Sequence, residues 1–403
     1  MPAFLTRRLN LLLWGLLLAI VAIFVVRTLL PAQDRQEAFF AYYASGHFLA
    51  SGHEARQLYD TPSFEQHVRE VSHGAVRDVY LGNTPVLAVA WLPFAQLPVE
   101  SARSLWVGLN VLFLMAVIAL AAARVPRAHR LLLVVLLAAL LTLAAPAREQ
   151  MFRGQMYAFL LLLHTVGWQA YERGDDAVTG IALAIAMMVK LSGWPIGVLL
   201  LLRGRWRAVA WAAGAAIAIF VLTLPWVGLD AWREALFVQM PAAAAMPAGK
   251  LSAYQTVSSL WQHLFSFDAV FNPDPVADLP RLAVFGIMAT NLAACATLLL
   301  RGLSAQVQYA MALVLTVLLS PLAEQYHYML VMLPLALLGL HACLAGSWRL
   351  RLVLLLASVL LAAPINYKAY LPGLWALLDY PRLAAGGLIF FALISIRRFH
   401  CQP

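Results

Sequence analysis

Apolar runs separated by short polar turns recur from one end of the chain to the other. A helix needs about 20 mostly apolar residues to cross the hydrocarbon core of a bilayer. Runs of that character lie near 10–30, 104–123, 131–146, 156–170, 177–190, 193–202, 207–226, 281–300, 306–321, 328–345, 350–365 and 383–396. The pair 177–190 and 193–202 is too short for two clean crossings. It reads either as a helical hairpin broken around Lys190-Leu-Ser-Gly-Trp-Pro195 or as one long kinked element. Residues 84–98, interrupted by Pro85, Pro93 and Pro98, read as interfacial or re-entrant. The first run has no convincing cleavage site and reads as an uncleaved anchor. The pattern predicts an all-α polytopic membrane protein of about 10–12 transmembrane helices, forming one integral-membrane domain over 1–403.

The polar positions between the runs give the sidedness. Cytoplasmic loops are short and rich in Arg and Lys. With Arg7 and Arg8 inside, twelve crossings put Arg124/Arg127/Arg130, Arg173, Arg203/Arg205/Arg207, Arg301, Arg349/Arg351 and Arg397/Arg398 on the same side. Only Glu172, Asp175 and Asp176 accompany them. Both termini are therefore expected in the cytoplasm. Two long loops, 31–103 and 227–280, then face outward, the first with amphipathic stretches suited to interfacial helices. Most of the mass outside the membrane lies there, which points to work done at the outer face.

Composition strengthens this reading. The chain has 403 residues, 63% hydrophobic and 12% charged, against roughly 45–50% and about 25% in ordinary globular proteins. That excludes a soluble enzyme, a secreted disulfide scaffold and a disordered regulator. Cys295, Cys343 and Cys401 are too few and too scattered for a disulfide framework or a metal cluster. The formal charge of +9 is explained by membrane topology and needs no nucleic acid. Its heavy bias to Arg over Lys, with many Ala and Leu, suggests a GC-rich bacterial genome.

Ionisable groups at membrane depth are expensive and mark functional sites by default. Four outward-facing clusters stand out. Asp34-Arg-Gln-Glu37 precedes the aromatic run Phe39-Phe-Ala-Tyr-Tyr43. A carboxylate there can serve as general base toward an alcohol, or simply balance Arg27 and Arg35 in the interface. Arg148-Glu-Gln-Met-Phe-Arg153-Gly-Gln155 lies between two runs. Arg153 carries the planar fork that grips phosphate oxygens, although an arginine can also merely anchor an interface. Lys190, at the helix break, must snorkel, find a partner or meet an anionic ligand. Glu324-Gln-Tyr-His327 caps a run after Pro321, where His327 suits a structural hydrogen bond as well as a site. His47, His53, His67 and His73 share the first loop, but their spacing puts no ligand pair on one helical face, so no metal is expected.

Taken in order, these segments resemble glycosyltransferase family 87. The resemblance rests on Phe39 through Gly52 with Leu58-Tyr-Asp60, then Asn83-Thr-Pro85, Leu92 through Pro98 and Ser104-Leu-Trp106. Its strongest part is Arg153-Gly-Gln-Met-Tyr157, then Thr179 to Lys190, then Arg203-Gly-Arg-Trp206. Gly228 to Trp232, Ser252 to Ser258, Ser320-Pro321 and Glu324 to Tyr328 follow in the same order, so that the likeness covers roughly residues 36–345.

The resemblance implies a GT-C-like bundle that takes a sugar, typically mannose, from a polyprenyl-phosphate carrier to a hydroxyl acceptor, a glycan or glycolipid, at the extracytoplasmic face of the inner membrane. It implies that Arg153, Lys190 and Arg148 hold the donor phosphate, and that Glu37 or Asp34 acts on the acceptor proton. Gln155, Asn83, Tyr43, Gln255, Glu324 and His327 are then expected around sugar and acceptor. No cofactor is expected beyond the lipid-linked donor as substrate, with a divalent cation left open. The chain departs from the family at two places: Ala38 stands where an Asp is usual, and Lys190 is followed by Leu191, with the proline delayed to Pro195. Two rival readings are a lipid-linked-sugar-binding homologue without catalysis and a lipid or solute transporter.

Overall fold

The structure is a computed structural model and describes residues 3–33, 36–364 and 371–399. Among these, helices are joined by turns and no strand forms, apart from an isolated bridge between Asp268 and Asn272. The chain is an all-α polytopic membrane protein.

Among the described residues, five helices are long and apolar enough to cross a membrane: Arg8–Leu29, Val99–Ala123, Trp206–Ala243, Pro280–Leu299 and Gln325–Leu344. Two bent pairs raise the number to seven if each is one span: Arg127–Leu143 with Ala145–Arg153, bent by 63°, and Gly373–Asp379 with Pro381–Ser395, bent by 68°. This is fewer than the ten to twelve expected. The physical reason is helix length. Residues 177–190 and 193–202 form the helices Asp176–Lys190 and Trp194–Leu202, of 15 and 9 residues. At about 1.5 Å per residue neither reaches across about 30 Å of hydrocarbon. Residues 84–98 form the short helices Pro85–Ala90 and Leu92–Ala95.

The chain divides into two units. The first comprises Met1–Leu30, Leu114–Gln150 and Pro247–Pro403. Its centre is the Gln325–Leu344 span, 72% buried inside the protein, whereas the Arg8–Leu29 span is only 6% buried and shows its apolar surface outward. That contrast separates a helix packed by protein from one packed by lipid.

The second unit comprises Pro31–Phe113 and Met151–Met246. At its core runs Glu37–Ala50, with ten of its fourteen residues buried. Phe39, Tyr42 and Trp91 meet as rings at 5.5–5.7 Å, the offset and edge-on spacing that aromatic pairs favour. The Thr61–Val71 helix is started by Asp60, whose carboxylate accepts from Ser63 N–H at 3.3 Å.

That helix brings His67 against the core helix. Although sequence spacing separates them, His47, His53 and His67 gather from three segments, with His47 Nδ1 and His67 Nε2 3.1 Å apart. Among the described residues no group of three His, Cys, Asp or Glu is arranged to hold a metal ion. Burial pushes the His67 imidazole down to about 4, helped by His47 and His53 and opposed by Glu70. In the unfolded chain the same group titrates near 6.5. Between those values the unfolded state binds the extra proton, so this stability is complete above pH 6.5 and is lost as pH falls toward 4. The melting temperature in detergent is expected to drop over that window, and to drop less in His67→Gln. Parallel losses in both proteins would refute the assignment.

Candidate functional site

The site assembles in the second unit, around the start of the Glu37–Ala50 helix. Gln36 precedes it in the left-handed region, with φ of 87°, and is buried. Its Nε2 donates to Ala32 O at 2.8 Å and Met151 O at 2.9 Å, and its N–H donates to Phe152 O at 2.7 Å. These bonds tie the helix start to the segment that leads into Arg153. Glu37 follows, half-buried, in the first turn, where the helix dipole favours a carboxylate. Its carboxylate makes no hydrogen bond or ion pair among the described residues. Asp34, the other carboxylate expected here, lies outside the described residues.

The Ala145–Arg153 helix ends at Gly154, whose φ is 65°. Its carbonyl accepts from Trp106 Nε1 at 2.7 Å. A Cβ on Gly154 would lie 2.3 Å from Gln36 Oε1 and 2.9 Å from Phe39 Cβ, so only glycine fits both the turn and the contact. The turn leaves Arg153 half-buried and buries Gln155.

Gln155 Oε1 accepts from the Tyr42 hydroxyl at 2.5 Å. Lys190, the last residue of its helix, holds its Nζ 5.2 Å from the centre of the Tyr42 ring. A cation over an aromatic face is attracted by the ring quadrupole, and the helix C-terminus favours the same charge. Thr84 donates through Oγ1 to Met188 O, fastening the Asn83-Thr84 turn to the same last turn. Asn83 is buried; Tyr59 O–H donates to its backbone O at 3.0 Å, and its Oδ1 has no partner among the described residues. A buried acceptor of this kind is satisfied by a hydroxyl donor.

Gln155 and Lys190 therefore meet at Tyr42, Arg153 precedes Gln155 by two residues, and the Asn83-Thr84 turn is fastened to Met188 beside Lys190. Tyr43 is the tyrosine expected near sugar and acceptor. Tyr43 points its hydroxyl to Leu97 O at 2.9 Å and lies against His47. Ala38 and Tyr42, four apart, share one face of the helix. Ala38 is buried on that face.

The remaining expected residues lie in the first unit. Gln255 is fully buried, with Nε2 donating to Ser252 O and Asp379 O and Oε1 accepting from Arg382 N–H at 2.9 Å. Its amide is thus taken up by the backbone. Glu324 Oε1 accepts from Tyr326 O–H at 3.2 Å, and the His327 ring stacks on Tyr326 at 4.6 Å. Arg148 is half-buried. Arg382, which no motif marked, is fully buried and donates to Leu360 O, Ala363 O and Gln325 Oε1.

The protein-family model described as Glycosyltransferase family 87 matches residues 80–323, more than half of the chain. No curated protein and no solved structure matches.

Proposed function

The chain belongs to glycosyltransferase family 87, and from that premise we propose that it moves a sugar, mannose first, from a polyprenyl-phosphate carrier to a hydroxyl acceptor. That it is a multi-pass membrane glycosyltransferase follows from the family and the apolar helices. Added to this are the donor class, and the extracytoplasmic face and cytoplasmic termini in the inner membrane, which rest on the charge pattern and the family resemblance.

The observation that carries the donor reading is Lys190 held over Tyr42, whose hydroxyl is bound by Gln155 two residues after Arg153. In the proposed step the acceptor oxygen attacks the anomeric carbon while the bond from that carbon to the phosphate oxygen breaks. The carrier leaves as a lipid phosphate with one more negative charge. Lys190 and Arg153 stabilise that developing charge, worth most in a water-poor site. Glu37 takes the acceptor proton, and the Asn83 acceptor and Gln155 orient hydroxyls. Gln255 keeps its structural task, its amide bound by backbone groups. No cofactor is drawn into the step.

A second reading, binding without transfer, is favoured by the Ala38 methyl group on the Tyr42 face. One assay separates the two. The purified protein is incubated with radiolabelled decaprenyl-phosphate-mannose and a bacterial envelope lipid extract. Transfer moves label to a new product and releases decaprenyl phosphate. Donor retention without release would establish the binding homologue. Neither retention nor release, with mannosyl and glucosyl donors alike, would overturn both readings.

A further inference from the structure

We propose that His164 is a positioning residue for Lys190, acting through Ser192 to hold the helix break in the shape that presents the lysine. The proposal rests on the reading above, in which Lys190 meets the carrier phosphate.

The break is an unfavourable backbone held in place. Lys190 ends one helix and Trp194 begins the next. Of the three residues between, Leu191 has φ of 50° and Gly193 has φ of 100°. A leucine in the left-handed region persists only where its surroundings over-determine it. Leu191 N–H reaches back to Met187 O at 2.9 Å and Ser192 N–H to Ala186 O at 3.3 Å, which closes the end of the lysine's own helix.

His164 supplies the remaining constraint. It sits on Tyr157–Arg173 and is 1% exposed, and its Nε2 lies 2.9 Å from Ser192 Oγ, itself buried. The next residue, Gly193, packs so close that a Cβ there would lie 2.8 Å from His164 Cε1. One imidazole therefore meets the turn twice, by a hydrogen bond at Ser192 and by shape at Gly193. Nothing else in the proposed step uses this histidine. Without it the Ser192 hydroxyl is left buried and unpaired, and the turn gains room to relax. The lysine then loses its fixed place over Tyr42, and a contact that depends on place loses strength.

The experiment measures binding of decaprenyl monophosphate, without sugar or acceptor, to the full chain in detergent. Lys190→Ala, His164→Ala, His164→Gln, Ser192→Ala and the Lys190→Ala/His164→Ala pair are compared at matched melting temperature. His164→Ala and Ser192→Ala are each expected to weaken binding about tenfold, the scale of leaving one buried polar group unpaired. His164→Gln, which keeps a polar nitrogen and oxygen near the place of Nε2, should recover most of the affinity. The pair should bind no more weakly than Lys190→Ala alone, because residues that act through one contact are not additive. If Lys190→Ala weakens binding and neither His164→Ala nor Ser192→Ala does, the positioning role is overturned and the phosphate site stands. A pair whose losses add would overturn it too. If Lys190→Ala leaves binding unchanged, the phosphate reading fails and this inference with it.

Discussion

Lys190→Ala is expected to lower sugar transfer by about 10²–10³-fold, the usual consequence of removing one preorganised partner of a developing negative charge. The fold should survive the change. Lys190 is half-buried at a helix C-terminus, where a cation contributes only about 0.3–1 kcal/mol. The main loss should fall on kcat, since the extra charge on the departing phosphate exists only in the transition state. Arg153→Ala should act in the same direction, and Arg153→Lys should restore little, because an ammonium cannot reproduce a two-pronged grip on phosphate oxygens. Full activity in both alanine variants, measured with decaprenyl-phosphate-mannose, would remove these residues from the reaction.

Gly154→Ala is expected to damage the packing of the second unit and the site together. Its Cβ would meet Gln36 Oε1 at 2.3 Å and Phe39 Cβ at 2.9 Å, with φ at 65°. The left-handed backbone costs about 1–2 kcal/mol for a residue with a Cβ, and overpacking typically adds about 1–3 kcal/mol. Gln36 cannot simply turn aside, because its Nε2 is bound to Ala32 O and Met151 O. Relief must come from parting the start of the Glu37–Ala50 helix from the Arg153-Gly154-Gln155 turn, which breaks the site as well as the packing. The control is Gly52→Ala. That glycine also has positive φ, 79°, but nothing lies within 4 Å of its added Cβ. Only the backbone cost should appear there. Equal losses of melting temperature in the two variants would show that the contact at Gly154 contributes nothing.

The binding-only alternative turns on a single position. Ala38 shares its helix face with Tyr42, while Glu37, one residue earlier, is rotated by about 100°. Transfer with decaprenyl-phosphate-mannose in the parent protein, lost in Glu37→Gln, would identify the longer neighbour as the acid that serves. Donor binding unchanged in that variant, with no transfer in either protein, would favour the homologue without catalysis.

The sequence by itself determined the class of the protein and the residues most costly to keep. Long apolar runs mean membrane helices because hydrocarbon leaves the backbone no other partner. Lys190 was conspicuous because a lysine inside an apolar segment carries a penalty that chance does not sustain. Arg153 and Gln155 stand out as polar residues flanking a glycine between two apolar runs. Tertiary structure alone decided that Tyr42 is the aromatic residue that meets Gln155 and Lys190. The Glu37–Ala50 helix is buried nearly all round, so it has no polar face to reveal its phase, and Tyr42 and Tyr43 are interchangeable until neighbours pack against it. The same holds for the three clustered histidines, drawn from segments whose spacing predicts no contact, and for Gln255, whose amide is spent on backbone groups far along the chain. His164 and Ser192 read as one more polar residue in a helix and one more in a turn until the fold sets them 2.9 Å apart. The cost of burying a charge or an apolar run is paid by each segment alone and is written locally. The phase of a helix and the partner of a buried hydroxyl are set by long-range packing, and no single segment contains that information.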